Sequence, residues 1–182
     1  MKKLLLLLFL SLSFSSYGEW EIIFIDDGSS DGSKDKIIDI ISKDSRVKLI
    51  SFYRNFGKSA ALSEGFKHSQ GDIIITMDAD LQDDPAEIPD LINNINEGFD
   101  LVSGWKKVRH DPWTKTFPSK IFNFVTRILT GVKIHDFNCG LKAYRSSVVK
   151  SIEIFGGRHR YIPAFCLLYT SDAADDSLRV AL

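Results

Sequence analysis

Asp78-Ala79-Asp80-Leu81-Gln82 sets two carboxylates and a side-chain amide directly after the apolar run Ile73-Ile74-Ile75-Thr76-Met77. Oxygen donors of this kind suit a hard cation, Mg2+ or Mn2+. Mg2+ usually takes only one or two protein carboxylates and leaves its other positions to phosphate and water. The group therefore predicts a phosphorylated ligand, with Asp78, Asp80 and Gln82 as candidate metal ligands. A second apolar run, residues 21–25, ends in Asp26-Asp27-Gly28-Ser29-Ser30-Asp31-Gly32. In open α/β sheets ligands collect outside the carboxyl ends of the strands, so two acidic strand ends in one sheet predict one shared site. A carboxylate there could accept a base N–H and select a nucleotide. The same residues also suit a turn with helix caps, because Asp, Ser and Gly bond locally to the backbone.

Several alternatives fail on spacing. Counted from Asp78 as a calcium loop, position six is Asp83 and position twelve is Pro89; counted from Asp27, position twelve is Ile38. Neither is an EF-hand, which needs Gly and Glu at those places. The chain carries no G-x-x-x-x-G-K-[ST] and no G-x-G-x-x-G. Lys plus Arg number 23 against 24 acids, so no general nucleic-acid footprint exists. The charge is nonetheless segregated. Residues 72–100 hold nine acids and no Lys or Arg, whereas residues 103–127 hold Lys106, Lys107, Arg109, Lys115, Lys120 and Arg127 against Asp111 alone. An acidic strip followed by a basic one suits a metal-diphosphate ligand, and equally suits two solvated faces. The two cysteines, Cys139 and Cys166, have no ligand spacing and predict neither a zinc site nor a disulfide framework.

The elements that must position these groups alternate strand and helix, which predicts an α/β fold on a mostly parallel sheet. Strands are expected at 21–25, 47–52, 72–77 and 99–103. Helices are expected at 33–42, at 57–69, and from Pro85 to a stop at Gly98, with Ile88, Leu91, Ile92 and Ile95 on its buried face. Residues 117–129 are apolar nearly all round, which fits a buried helix or one lying on a membrane surface. Residues 1–18 form a leucine-rich start, read either as a signal-like segment or as a truncated helix, with an export signal the less favoured reading. Residues 166–182 have neither helical nor strand periodicity and are read as a tail outside the domain, which leaves residues 19–165 as the partial catalytic domain.

Together, residues 23–32, Arg54-Asn55-Phe56-Gly57 and residues 77–85, in this order and spacing, resemble the family 2 glycosyltransferases of GT-A fold. Residues 103–109, His135-Asp136-Phe137-Asn138-Cys139-Gly140 with its continuation to Arg145, and Arg158-His159-Arg160-Tyr161-Ile162-Pro163 are similar to the branch that loads a sugar onto a polyprenyl phosphate, the dolichol-phosphate mannosyltransferases and bactoprenol glucosyltransferases. The resemblance covers about residues 19–165. It implies a Rossmann-like sheet flanked by helices and incomplete at both ends. The strand with which the family begins, ending in a Pro-x-Tyr-Asn-Glu type sequence, is replaced here by the leucine-rich start.

The resemblance also implies metal-assisted, inverting transfer from a nucleotide diphosphate sugar to a dolichyl or undecaprenyl phosphate at the cytoplasmic face of the membrane. Asp78, Asp80 and Arg109 would carry the chemistry, with Asp78, Asp80 and Gln82 on Mg2+ or Mn2+. Asp26, Asp27, Lys58, Asp78, Lys106 and Arg109 would bind the nucleotide sugar, and Lys142, Arg145 and Arg160 the acceptor phosphate. A phosphate acceptor is already anionic near neutral pH and needs no general base. A glycan-extending relative would need one, such as Asp111 or Asp136. A secreted, non-catalytic carbohydrate- or cation-binding domain is the alternative of another class.

Overall fold

β4 (Ile73–Asp78) is covered on both faces, and the other described elements are arranged around it. Its first four residues are buried, and alternate side chains go to different layers. Ile74 packs with Ile23, Ile25, Leu62 and Phe66, whereas Ile73 and Ile75 pack with Leu91, Ile95 and Val102. Neighbouring strands repeat the split: Leu101 and Tyr144 join the first layer, and Val102 and Ala143 the second. The sheet therefore separates two apolar cores.

The computed structural model describes residues 6–12, 20–104, 125–126, 128, 137, 139–171 and 180–181. The strands are β1 (Leu6–Leu12), β2 (Trp20–Asp26), β3 (Val47–Ser51), β4, β5 (Leu101–Ser103), β6 (Lys142–Arg145) and β7 (Val180–Ala181), in the spatial order β3-β2-β1-β4-β6-β5-β7. Helices α1 (Ser33–Lys43), α2 (Lys58–His68) and α3 (Ile88–Asn96) connect them. Further helical segments follow at Ser146–Lys150, at the 3-10 turn Arg158–Tyr161 and at Ile162–Ser171. α2 contributes Ala61, Leu62 and Phe66 to the first core, where Phe66 meets Tyr144 edge to face at 5.3 Å. α3 contributes Leu91 and Ile95 to the second, two members of the predicted stripe.

The α/β expectation holds, with a refinement of strand sense. β2, β3, β4, β5 and β7 point one way, but β1 and β6 run against them, so among neighbouring pairs only β2–β3 and β5–β7 are parallel. Two expectations about the ends change. The leucine-rich start is a strand, not a helix: Leu6–Leu12 pairs with β2 on one side and β4 on the other. A short apolar run has no period that distinguishes the two, and a gap between strands supplies ladder partners that a helix cannot use. Residue 166 is also no boundary, because the helix Ile162–Ser171 runs through it and Cys166 is fully buried in the first core. Burial pushes its thiol pKa up to about 12. Of the helix expected at 117–129, Val125, Thr126 and Ile128 lie among the described residues and are helical. Val125 and Ile128 are 45% and 65% exposed there, and Thr126 is buried.

Truncating Ile74, which has no exposure at all, is expected to cost about 2–5 kcal/mol as Ile74→Ala. Urea unfolding followed by circular dichroism would show a lower midpoint at unchanged slope.

Candidate active site

The carboxyl ends of β2, β3 and β4 form one acidic edge, as the two strand-end motifs predict. Leu6 pairs with Asp26 and Leu7 with Asp78, so the two acidic ends lie two strands apart, roughly 10 Å in strand spacing. Their carboxylates have different partners. Asp26 is 1% exposed, accepts the Ser29 N–H at 2.9 Å and Ser51 Oγ–H at 3.0 Å, and is also bonded by the Ser29 hydroxyl. Asp27 is 3% exposed and accepts the N–H groups of Phe56 at 2.7 Å and Gly57 at 2.9 Å, one on each oxygen. The two residues fasten the Gly28–Ser30 turn and the Arg54–Gly57 loop. Gly28 has φ 76, and a Cβ there would stand 2.5 Å from the Arg54 carbonyl carbon, so the loops meet only around a glycine. Asp26 and Asp27 thus shape the edge of the site from within.

Asp78 is the carboxylate that opens outward. The Lys58 ammonium donates to both of its oxygens, at 2.7 and 2.8 Å, and each side chain is 24% exposed. Gly140 abuts the other side, where a Cβ would lie 2.5 Å from Asp78 Oδ2. Thr76, one turn of the pleat earlier, donates its hydroxyl to the Gly140 carbonyl at 3.0 Å and holds that backbone against β4. Beyond the strand, Asp80 Oδ1 accepts the Gln82 N–H at 3.1 Å, and Leu81 between them has φ 64 with its side chain 99% exposed. A leucine in the left-handed region is uncommon. Asp80 and Gln82 are both exposed at the lip of the site.

A pocket of about 230 Å³ opens beside Asp78. Lys58, Lys142, His159 and Arg160 line it together with the less polar Leu62, Phe137, Tyr144 and Ile162. Lys142 is 6% exposed, and its ammonium donates to the carbonyls of Phe137 and Cys139. Tyr144 is buried at the base, and burial raises its hydroxyl pKa well above the ordinary tyrosine value. His159 is tied to α2: its backbone N–H donates to Ser59 Oγ at 3.3 Å, and its Nδ1 lies 2.9 Å from the same oxygen. That bond sets the 3-10 turn Arg158–Tyr161, and with it Arg160, against the first turn of α2.

Of the predicted site residues, the structure brings together Lys58, Asp78, Lys142 and Arg160, with Asp80 and Gln82 at the rim. Arg145 is a correction. It pairs with Ile73 at the opposite end of β4, about 16 Å of strand from Asp78. There it donates to the Ile95 carbonyl at 2.7 Å and meets Asp100 at 3.1 Å. Its work is to close the C-terminus of α3, not to reach an acceptor. Lys106 and Arg109 lie outside the described residues, as do Asp111 and Asp136. Sequence reasoning missed Ser59, Thr76, Gly140 and His159. Gly140 and His159 sat inside quoted motifs, but contacts with Asp78 and Ser59, far off in the chain, give them their roles.

The donors suit a hard cation. Both oxygens of Asp78 already face a positive charge, and Asp80 follows two residues on. Among the described residues no three His, Cys, Asp or Glu side chains cluster closely enough to hold a metal by themselves. An ion here would therefore complete its shell with phosphate and water, as Mg2+ ordinarily does.

Burial holds the His159 pKa below the ordinary histidine value, and Lys58, Arg160 and Lys142 push it the same way, against a weaker pull from Asp78. The unfolded chain therefore takes up this proton first, so His159 costs stability as pH falls below about 6.5 and nothing well above it. NMR titration should place the imidazole midpoint below about 6.5. His159→Asn should flatten the loss of urea stability between pH ~7 and ~5.

The model of the glycosyl transferase family 2 matches residues 2–153. The chain is 38% identical over 149 residues to dodecaprenyl-phosphate galacturonate synthase of Rhizobium johnstonii, covering 80% of this chain and 44% of that protein. It is 38% identical over 146 residues to undecaprenyl-phosphate 4-deoxy-4-formamido-L-arabinose transferase of Edwardsiella ictaluri, covering 80% of this chain and 45% of that one. The chain thus spans a little under half the length of these relatives. Among solved structures, glucosyl-3-phosphoglycerate synthase from Mycobacterium tuberculosis in complex with UDP superposes with TM-score 0.63 at 22% identity, over 87% of this chain and 56% of that one. A mannosyltransferase from Pyrobaculum calidifontis in complex with GDP-Man and Mn2+ superposes with TM-score 0.60 at 16% identity, over 88% of this chain and 44% of that one. With most of its length matched by the family model and its sheet shared with these structures, the chain belongs to glycosyl transferase family 2 and has the GT-A fold.

Proposed function

We propose that this chain is the catalytic part of an enzyme that moves a sugar from a nucleotide diphosphate sugar to a polyprenyl phosphate at the cytoplasmic face of a membrane. The observation that carries the reading is the pocket beside Asp78, whose lining combines Lys58, Lys142 and Arg160 with apolar residues. Cationic side chains among apolar ones suit a phosphate joined to a hydrocarbon. The names of both curated relatives specify a polyprenyl phosphate.

In this reading Asp78, Asp80 and Gln82 hold Mg2+ or Mn2+, which when bound supplies Lewis-acid stabilisation of the leaving diphosphate. Lys58 neutralises diphosphate charge from the protein side, and Lys106 and Arg109 are proposed to do the same from the segment after β5. Asp26 and Asp27 keep the two loops at the nucleotide end in place. Lys142 and Arg160 orient the acceptor phosphate, which attacks in its anionic form. Burial, and then the nearby Lys58, Arg160 and Lys142, lower the His159 pKa in the ligand-free site. Fixed charges of this kind act because they are already oriented when charge moves onto the leaving group. Val125 and Ile128, exposed on their helix, are consistent with contact at a membrane surface.

Incubating the protein with Mn2+, undecaprenyl or dolichyl phosphate and radiolabelled UDP- or GDP-sugars is expected to give a labelled lipid by thin-layer chromatography. Product on an oligosaccharide alone would overturn the acceptor assignment. Gly140→Ala, which drives a methyl group onto Asp78, is expected to lower turnover by ~100-fold while leaving the circular dichroism spectrum intact.

A further inference from the structure

Lys58 is the first residue of α2, where the helix dipole disfavours a cation, and α2 has no acid in its first turn to offset it. Its charge is met from twenty positions away in the chain, by both oxygens of Asp78. Both members of the pair keep some access to solvent, and Lys58 also lines the pocket that holds Lys142 and Arg160. The ammonium can thus turn from the carboxylate to an anion in the pocket without a backbone movement, because a lysine stem has four rotatable bonds.

We infer that Lys58 is a built-in placeholder cation: it occupies the Asp78 carboxylate, and a metal ion displaces it only when a nucleoside diphosphate arrives to receive the freed ammonium. The inference rests on the assignment of Asp78 as a metal ligand. Its physical content is competition. A divalent ion arriving alone must break both Lys58 bonds and leave an ammonium beside it, like charge against like charge. An ion arriving with a diphosphate brings the anion that Lys58 needs. Cation and nucleotide then bind cooperatively, and the cation by itself binds poorly, so the site resists filling with metal in the absence of donor. Cooperativity of this origin is reciprocal, because each ligand changes the affinity of the other by the same factor.

The test is direct measurement of Mn2+ binding by electron paramagnetic resonance on the full chain, without nucleotide and with saturating UDP or GDP, for wild type, Lys58→Met, Lys58→Arg and Asp78→Asn. Without nucleotide, Lys58→Met is expected to bind Mn2+ about tenfold tighter than wild type, and Lys58→Arg to behave as wild type. The factor by which nucleotide tightens Mn2+ binding is expected to shrink in Lys58→Met by a similar amount. Lys58→Gln provides the same reading should the methionine variant not fold. Unchanged or weaker Mn2+ binding in both neutral variants would overturn the placeholder role while leaving Asp78 as a ligand. Wild-type Mn2+ affinity in Asp78→Asn would instead overturn the metal assignment on which the inference stands.

Discussion

A strand buried on both faces that ends in a carboxylate held by an ammonium sets the terms for the rest of this structure. Burial on two sides secures β4 against slippage, since a shift of one residue would exchange Ile74 with Ile73 and Ile75 between two different cores. The chain end of such a strand is therefore held in place, and so is Asp78. A carboxylate partly withdrawn from water must be met by positive charge or by donors. Lys58 answers that demand from α2, and the backbone at Gly140 closes in on the side where no charge is needed. The pocket is what remains between those two neighbours and the turn carrying His159.

The other acidic strand end is used differently, and the contrast explains the division of the site. Asp26 and Asp27 are almost wholly buried, which is tolerable for carboxylates because Asp26 accepts from Ser29 and Ser51 and Asp27 from the backbone of Phe56 and Gly57. They convert two flexible connections, the turn after β2 and the loop before α2, into one fastened edge. That edge presents the N-terminus of α2, and Lys58 with it, to Asp78. The pair at the end of β2 thus holds a third residue in position, while Asp78, left partly open, sits against Lys58 and Gly140 at the pocket.

Strand β6 shows how finely register separates function from support. Lys142 and Arg145 are three residues apart, yet the first pairs with Thr76 beside the pocket and the second with Ile73 at the far end of the sheet. Because β6 runs against β4, moving toward its C-terminus is moving away from the site. Arg145 then finds Asp100 and the last turn of α3, where a cation near a helix C-terminus is well placed.

What the sequence determined by itself is everything carried by local pattern: the apolar runs, the acidic turns that end them, the stripe of α3, and the motif order that belongs to family 2. These are properties of neighbours within a few residues, and periodicity and side-chain chemistry report them directly. The tertiary structure alone decided that Lys58 meets Asp78, that Ser59 fastens His159 across a hundred positions, that Arg145 lies at the wrong end, and that residues 6–12 and 162–171 are strand and helix. Each of those depends on strand sense, on register, or on which gap in a sheet or core needs filling. Such facts belong to the assembled fold, because the same short apolar or basic segment is compatible with several placements until its partners are in position.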